Sequence, residues 1–183
     1  DRHPATLLRV RSAADIRAAK TNGRTGLMYG FQDGVCFESD LDRLETFHRL
    51  GIRVIQPTYN RRNGLGDGCM EPADAGLSKL GHEAVERMNE LGILVDGSHC
   101  GRVTAADAIR HSSRPVAFTH TGCAALADHP RNRTDAELRA AGMSFAEHLG
   151  AVTDRVPAGV SVGITDRTPE LLAQVAGYLG GRP

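Results

Sequence analysis

Ile93-Leu94-Val95-Asp96-Gly97-Ser98-His99 and Pro115-Val116-Ala117-Phe118-Thr119-His120 decide the fold of this 183-residue chain. Each is a short apolar run that closes on a polar cluster whose last member is a histidine. Thr104 to Ser112 lies between them and reads as a helix with Thr104 as its N-cap. The unit is strand–helix–strand, with one imidazole delivered at the carboxyl end of each strand. In parallel α/β folds, ligands and metals collect at that end. Two histidines there read either as a metal site or as hydrogen-bonded rim residues.

Upstream the same alternation holds. Ser12-Ala-Ala-Asp15 opens a helix that Gly23 ends, with Ser12 as cap and Asp15 in the first turn. Gly26 to Phe31 reads as a buried strand followed by Gln32-Asp33-Gly34. Asp40 to Leu50 has apolar residues at 41, 44, 47 and 50, which is helical spacing. Ile52 to Thr58 is the next strand, and Arg61 to Gly76 is a long Gly-, Asn- and Asp-rich loop of the kind that covers a functional face. Ser78 to Leu91 is an amphipathic helix closed by Gly92.

Downstream, Thr134 and Glu137 form a capping box for a helix to Ala141. Met143 to Val156 follows as a helix with no strand between. Val160 to Ile164 reads as a strand ending in Thr165-Asp166, and Thr168-Pro169 starts a last helix. Strands alternating with helices imply α/β architecture with a parallel sheet and right-handed crossovers. A closed (β/α)8 barrel takes about 250 residues, so the pattern is a barrel with pieces missing or an open parallel sheet.

The bulk composition narrows the class. The length suits one domain over residues 1–183. Lys and Arg match Asp and Glu at 22 each and are spread along the chain, which argues against a basic nucleic-acid or anionic-membrane surface. No apolar run approaches a membrane span. Cys36, Cys69, Cys100 and Cys123 form no Cys-x-x-Cys pair, so free thiols in a reducing, cytoplasmic setting are expected.

The strand ends offer Gln32, Tyr59, His99, His120 and Asp166 as candidate site residues. Two neutral imidazoles with a carboxylate suit zinc or a similar borderline ion. Arg131 has the chemistry to grip a carboxylate bidentately, or to pair locally with Asp128 or Asp135. His129 could line the same rim. His48 and His82 are expected to face solvent, and His111 to sit near a helix C-terminus. Asp67 and Glu71 are either cation ligands or turn chemistry.

Five motifs then occur in order: Gly51-Ile-Arg-Val-Ile-Gln-Pro-Thr-Tyr-Asn60, Asn63-Gly-Leu-Gly-Asp-Gly-Cys-Met-Glu71, Gly76-Leu-Ser-Lys-Leu-Gly81, Met88 through His99, and His129-Pro-Arg-Asn-Arg-Thr-Asp135. Together they resemble the membrane (renal) dipeptidase family of zinc metallopeptidases, its bacterial branch in particular. The resemblance implies a (β/α)8 barrel holding two zinc ions and hydrolysing dipeptides that carry a free carboxylate. It implies His99 and His120 as ligands of the second zinc and Arg131 as the group that holds the substrate carboxylate. By the same resemblance Asp166 is the proton-handling aspartate, and Tyr59 stands at a substrate-contacting position.

The departures from the family pattern are specific. The His-x-Asp pair of the first barrel strand is missing, so a first βα unit is expected to be lacking. Gln32 stands where the family has a metal-bridging glutamate, and a neutral amide brings no charge to offset two dications. The strand that follows the Thr134 helix in the family is missing as well. The expected function is metal-dependent dipeptide hydrolysis. The alternatives are a catalytically impaired homologue acting as a binding protein, or a fragment that needs a partner chain. An open sheet edge would also favour a homodimer.

Overall fold

The computed structural model describes residues 3–37 and 39–141. Five strands lie in one parallel sheet in the order β1-β2-β3-β4-β5: Leu7–Val10, Thr25–Phe31, Ile52–Ile55, Leu94–Asp96 and Val116–Ala117. Helices α1 (Ala13–Thr21), α2 (Asp42–Leu50), α3 (Lys79–Leu91) and α4 (Arg102–His111) join them in turn, and a 3-10 turn covers Gly34–Phe37. A doubly wound sheet reverses its strand order at a switch point. Here spatial order follows chain order throughout, which is the order of one sector of a (β/α)8 barrel.

The helices form where capping chemistry and apolar spacing agree. Ser12 accepts from Asp15 N–H at the start of α1, and Ser78 accepts from Gly81 N–H at 3.0 Å at the start of α3. Gly51 and Gly92 close α2 and α3 in the left-handed conformation, which costs a glycine least. Ala84, Val85 and Met88 line one face of α3 and are fully buried. With Leu44, Ile55 and Val95 they belong to one core between the sheet and its helices. The expected capping box is present: Thr134 N–H donates to Glu137 Oε2 at 2.8 Å, and Glu137 N–H to Thr134 Oγ1 at 3.3 Å.

Three expectations are corrected. The strand read as buried at Gly26 to Phe31 is β2, and its Leu27, Met28 and Tyr29 are exposed. Among the described residues, α1 is the helix that packs on it, so an apolar run suited to cover on both sides is only partly covered. Thr104 is not an N-cap. The carboxylate of Asp74, from the 61–76 loop, accepts from Val103 N–H at 2.6 Å and Thr104 N–H at 3.2 Å, so α4 begins at Arg102 and Thr104 is buried inside it. His82 does not face solvent freely. It is half-buried, with its ring edge-on to His111 at 4.4 Å.

The 61–76 loop is held by its own acids. Asp67 is buried, pairs with Arg62 and accepts from Ala75 N–H at 2.7 Å, while Glu71 accepts from Arg62 N–H at 2.8 Å. Both carboxylates serve the turn chemistry rather than a cation. Met143 to Val156, Val160 to Ile164, Asp166 and the last helix lie outside the described residues.

Candidate active site

Parallel pairing of β3, β4 and β5 sets their carboxyl ends side by side. Ile55 is level with Val95, and Asp96 with Ala117. The residues that follow each strand, Gln56 to Asn60, Gly97 to His99 and Phe118 to Thr121, therefore emerge on one rim. Gln32 joins them from the end of β2.

His99 adopts φ 67°, and it is the non-glycine residue with positive φ among those described. A side chain in that region costs of order 1–3 kcal/mol and persists only where neighbours hold it. Those neighbours are visible. The His99 carbonyl accepts from Cys69 N–H at 2.8 Å, its Nδ1 lies 2.8 Å from Asn60 Oδ1, and Tyr59 stacks on the ring at 3.9 Å and 24°. The loop bearing Cys69 thus fixes the His99 backbone, Asn60 meets the imidazole at Nδ1, and Tyr59 covers one face.

The His120 ring lies 5.0 Å from that of His99, centroid to centroid. Its Nε2 is 3.5 Å from Gln32 Nε2 and 3.4 Å from Gln56 Nε2, and its Nδ1 is 2.8 Å from Thr119 Oγ1. Burial pushes the His99 imidazole down to about 4, helped by the Arg131 charge, and burial also lowers His120. Both rings are therefore neutral at physiological pH, the form in which imidazole binds a metal.

Arg131 reaches this pair from the segment after β5. Its Nη2 donates to the His120 carbonyl at 3.1 Å, while its Nη1 is buried with no partner among the described residues. Among the described residues Arg131 forms no ion pair with Asp128 or Asp135, and Asp135 lies 3.8 Å from Arg139. His129 is exposed and accepts from Arg131 N–H through Nδ1, so it shapes the backbone instead of lining the rim.

Sequence reading missed Arg133 and Asp96. Arg133 is 0% exposed. Its guanidinium donates to the Gly97 carbonyl at 3.1 Å and to the Cys100 carbonyl, pairs with Glu137 at 3.2 Å, and lies 5.0 Å over the Phe118 ring. It staples the Arg131 segment to the His99 turn. Asp96 is 1% exposed and accepts from Gln56 Nε2, Ser98 N–H, Thr119 N–H and Thr119 Oγ1–H. A signal existed for Asp96, because an acid closing an apolar strand must find donors when buried.

In kind, two neutral imidazoles fit a divalent cation, whereas a catalytic zinc takes about three protein ligands. Among the described residues no group of three or more His, Cys, Asp or Glu is arranged to hold a metal. Gln32 is brought to His120 but carries no charge, and Asp166 lies outside the described residues. The described rim brings together two neutral imidazoles, an uncharged amide and a half-buried arginine.

The membrane dipeptidase (Peptidase family M19) model matches residues 1–143. An amidohydrolase of known structure from Pseudomonas aeruginosa is 42% identical with a TM-score of 0.73, over 77% of this chain and 43% of that one. A metallo peptidase from Rhodobacter sphaeroides, solved with a phosphinate mimic of the dipeptide L-Ala-D-Ala, is 28% identical with a TM-score of 0.72, over 78% of this chain and 42% of that one. Dipeptidase verJ from Clonostachys rogersoniana is 29% identical over 137 residues, which are 74% of this chain and 35% of that protein. The chain thus spans well under half the length of these relatives. The ordered motifs and the sequential parallel strands agree with the matched region, and the chain belongs to the membrane dipeptidase family of metallopeptidases.

Proposed function

We propose that this chain carries the His99, His120 and Arg131 part of a zinc-dependent site that hydrolyses dipeptides. The observation that carries the reading is Arg131 Nη1, a buried donor without an acceptor among the described residues, on the residue whose Nη2 holds the backbone of His120. An unpaired buried donor is costly, and a carboxylate is the acceptor that a guanidinium fork matches best. The crystal ligand of the Rhodobacter sphaeroides relative, a dipeptide mimic, supports the same substrate class.

In this reading Arg131 orients the dipeptide by its carboxylate, and Tyr59 shields the face of His99 that it stacks on. His99 and His120 would hold the ion, with Gln32 beside His120. A bound zinc ion supplies the Lewis acidity that activates water toward a peptide carbonyl. Asp166 is assigned the proton transfer that amide cleavage requires.

The test is hydrolysis of L-Ala-D-Ala and L-Ala-L-Ala by the full chain with added zinc, beside Arg131→Ala. A hydrogen bond to a charged group contributes about 1.5–3 kcal/mol, so the variant should raise KM roughly 10- to 100-fold. A parent chain that neither hydrolyses nor binds these dipeptides would overturn the reading.

A further inference from the structure

Asp96 and Thr119 stand behind His120 in an arrangement that determines which ring nitrogen carries its proton. Asp96 collects four donors: Gln56 Nε2 at 2.9 Å, Ser98 N–H at 2.9 Å, Thr119 N–H at 3.1 Å and the Thr119 hydroxyl at 2.5 Å. A carboxylate surrounded in this way is an acceptor on both oxygens. The Thr119 hydroxyl has one proton, and it goes to Asp96 Oδ2. Its oxygen can then meet His120 Nδ1, 2.8 Å away, only as an acceptor. The ring proton therefore sits on Nδ1, and Nε2 keeps its lone pair.

The other side of the ring agrees. Two amide nitrogens, of Gln32 and Gln56, approach Nε2, and amide nitrogens are donors that need a lone pair to face. The orientation of the Gln56 amide is not arbitrary, because Asp96 requires the nitrogen on its side. That is why Gln56 Oε1 is left buried without a partner among the described residues. His99 follows the same scheme with Asn60 Oδ1 at its Nδ1.

We propose that Asp96 and Thr119 are positioning residues, a carboxylate–hydroxyl–imidazole relay that holds His120 as the Nδ1–H tautomer with Nε2 presented to the site. The inference rests on the reading of His120 as a ligand, and it assigns the control of that ligand to two residues that reach it through its Nδ1. The hydroxyl stands between carboxylate and ring, with Asp96 Oδ2 3.9 Å from His120 Nδ1 and buried within its four donors. Gln56 ties the relay to β3, so three strand ends set one imidazole.

The experiment is nitrogen NMR of the full chain without metal at mildly alkaline pH, with His120 identified by the signals lost in His120→Gln. The relay predicts a protonated Nδ1 and a bare Nε2 for His120. Thr119→Val, similar in shape but without the hydroxyl, should give a mixed or reversed tautomer, and Thr119→Ser should restore the parent pattern. Titration with cobalt(II), read by its visible absorption, should show about a 10- to 100-fold weaker site in Thr119→Val and near-parent affinity in Thr119→Ser. A parent chain with its His120 proton on Nε2, or a Thr119→Val chain with unchanged tautomer and affinity, would overturn the relay. If the parent chain takes up no cobalt, the metal reading fails while the tautomer measurement still decides the relay.

Discussion

Asp74 and Thr104 are bonded side chain to side chain across 30 residues of sequence: Thr104 Oγ1 donates to Asp74 Oδ1 at 2.9 Å, and the Thr104 N–H points at the same carboxylate. In return Thr104 Oγ1 accepts from Asp67 N–H at 3.0 Å. The loop that carries Cys69 against His99 is thereby locked to the first turn of α4, whose exposed N–H groups favour a negative partner.

Removing that carboxylate should cost stability and loosen the site together. Asp74→Ala is expected to lose about 0.5–2 kcal/mol, the usual range for a helix cap. Urea unfolding by circular dichroism measures it, with a lowered midpoint and an unchanged slope expected. An unchanged midpoint would mean that the carboxylate is not a cap.

Asp67 sets an acid limit. Its hydrogen bond with Arg62 holds the carboxyl below the usual carboxylate range, and the Ala75 N–H adds to this. A carboxyl depressed in the folded chain contributes stability that is fully present above its unfolded value of 3.8 and is lost as pH falls through the lower, folded value. Melting temperature followed from neutrality into acid should fall in that region, and Asp67→Asn should flatten the fall. An identical acid profile in the variant would count against the assignment.

Arg133 should be the costliest single truncation of the group. Arg133→Met takes the donor from the buried Cys100 carbonyl and from Glu137 Oε1, while Cys100 N–H stays on the Gly97 carbonyl and Thr134 on Glu137 Oε2. Breaking a buried pair by removing one partner costs about 3–5 kcal/mol, to be read by chemical denaturation. Amide exchange should quicken at Gly97 to Cys100 in the same variant. A loss within experimental error of zero would contradict the stapling role.

Gly68 offers a test with no charge in it. A methyl group there would collide with the backbone of Tyr59, Asn60 and Arg61, which cannot yield as a flexible side chain can. Gly68→Ala should therefore cost about 1–3 kcal/mol, as overpacking does, and shift the His99 ring signals because Tyr59 and Asn60 are its neighbours. Parent-like His99 signals would show that the loop and the imidazole are not coupled.

The sequence by itself determined the elements that depend on local chemistry. Ser12, Ser78 and the Thr134–Glu137 box cap helices where their side chains meet nearby N–H groups, and Gly51 and Gly92 end helices because their backbone enters the left-handed region. His99 and His120 were legible as rim residues since a strand's carboxyl end is readable from its apolar run. What only the tertiary structure decided depends on partners far away in the chain. Asp74 moved the start of α4 from Thr104 to Arg102, because a charged acceptor from another loop outbids a local hydroxyl. Asp96, Thr119 and Gln56 became one network only when three parallel strands brought their ends together. Arg133, indistinguishable from Arg131 as a loop arginine, became a buried staple because Phe118, Gly97 and Cys100 enclose it. Local propensity acts over one turn of chain, while a buried charge is settled by whichever donors and acceptors the packed fold delivers to it.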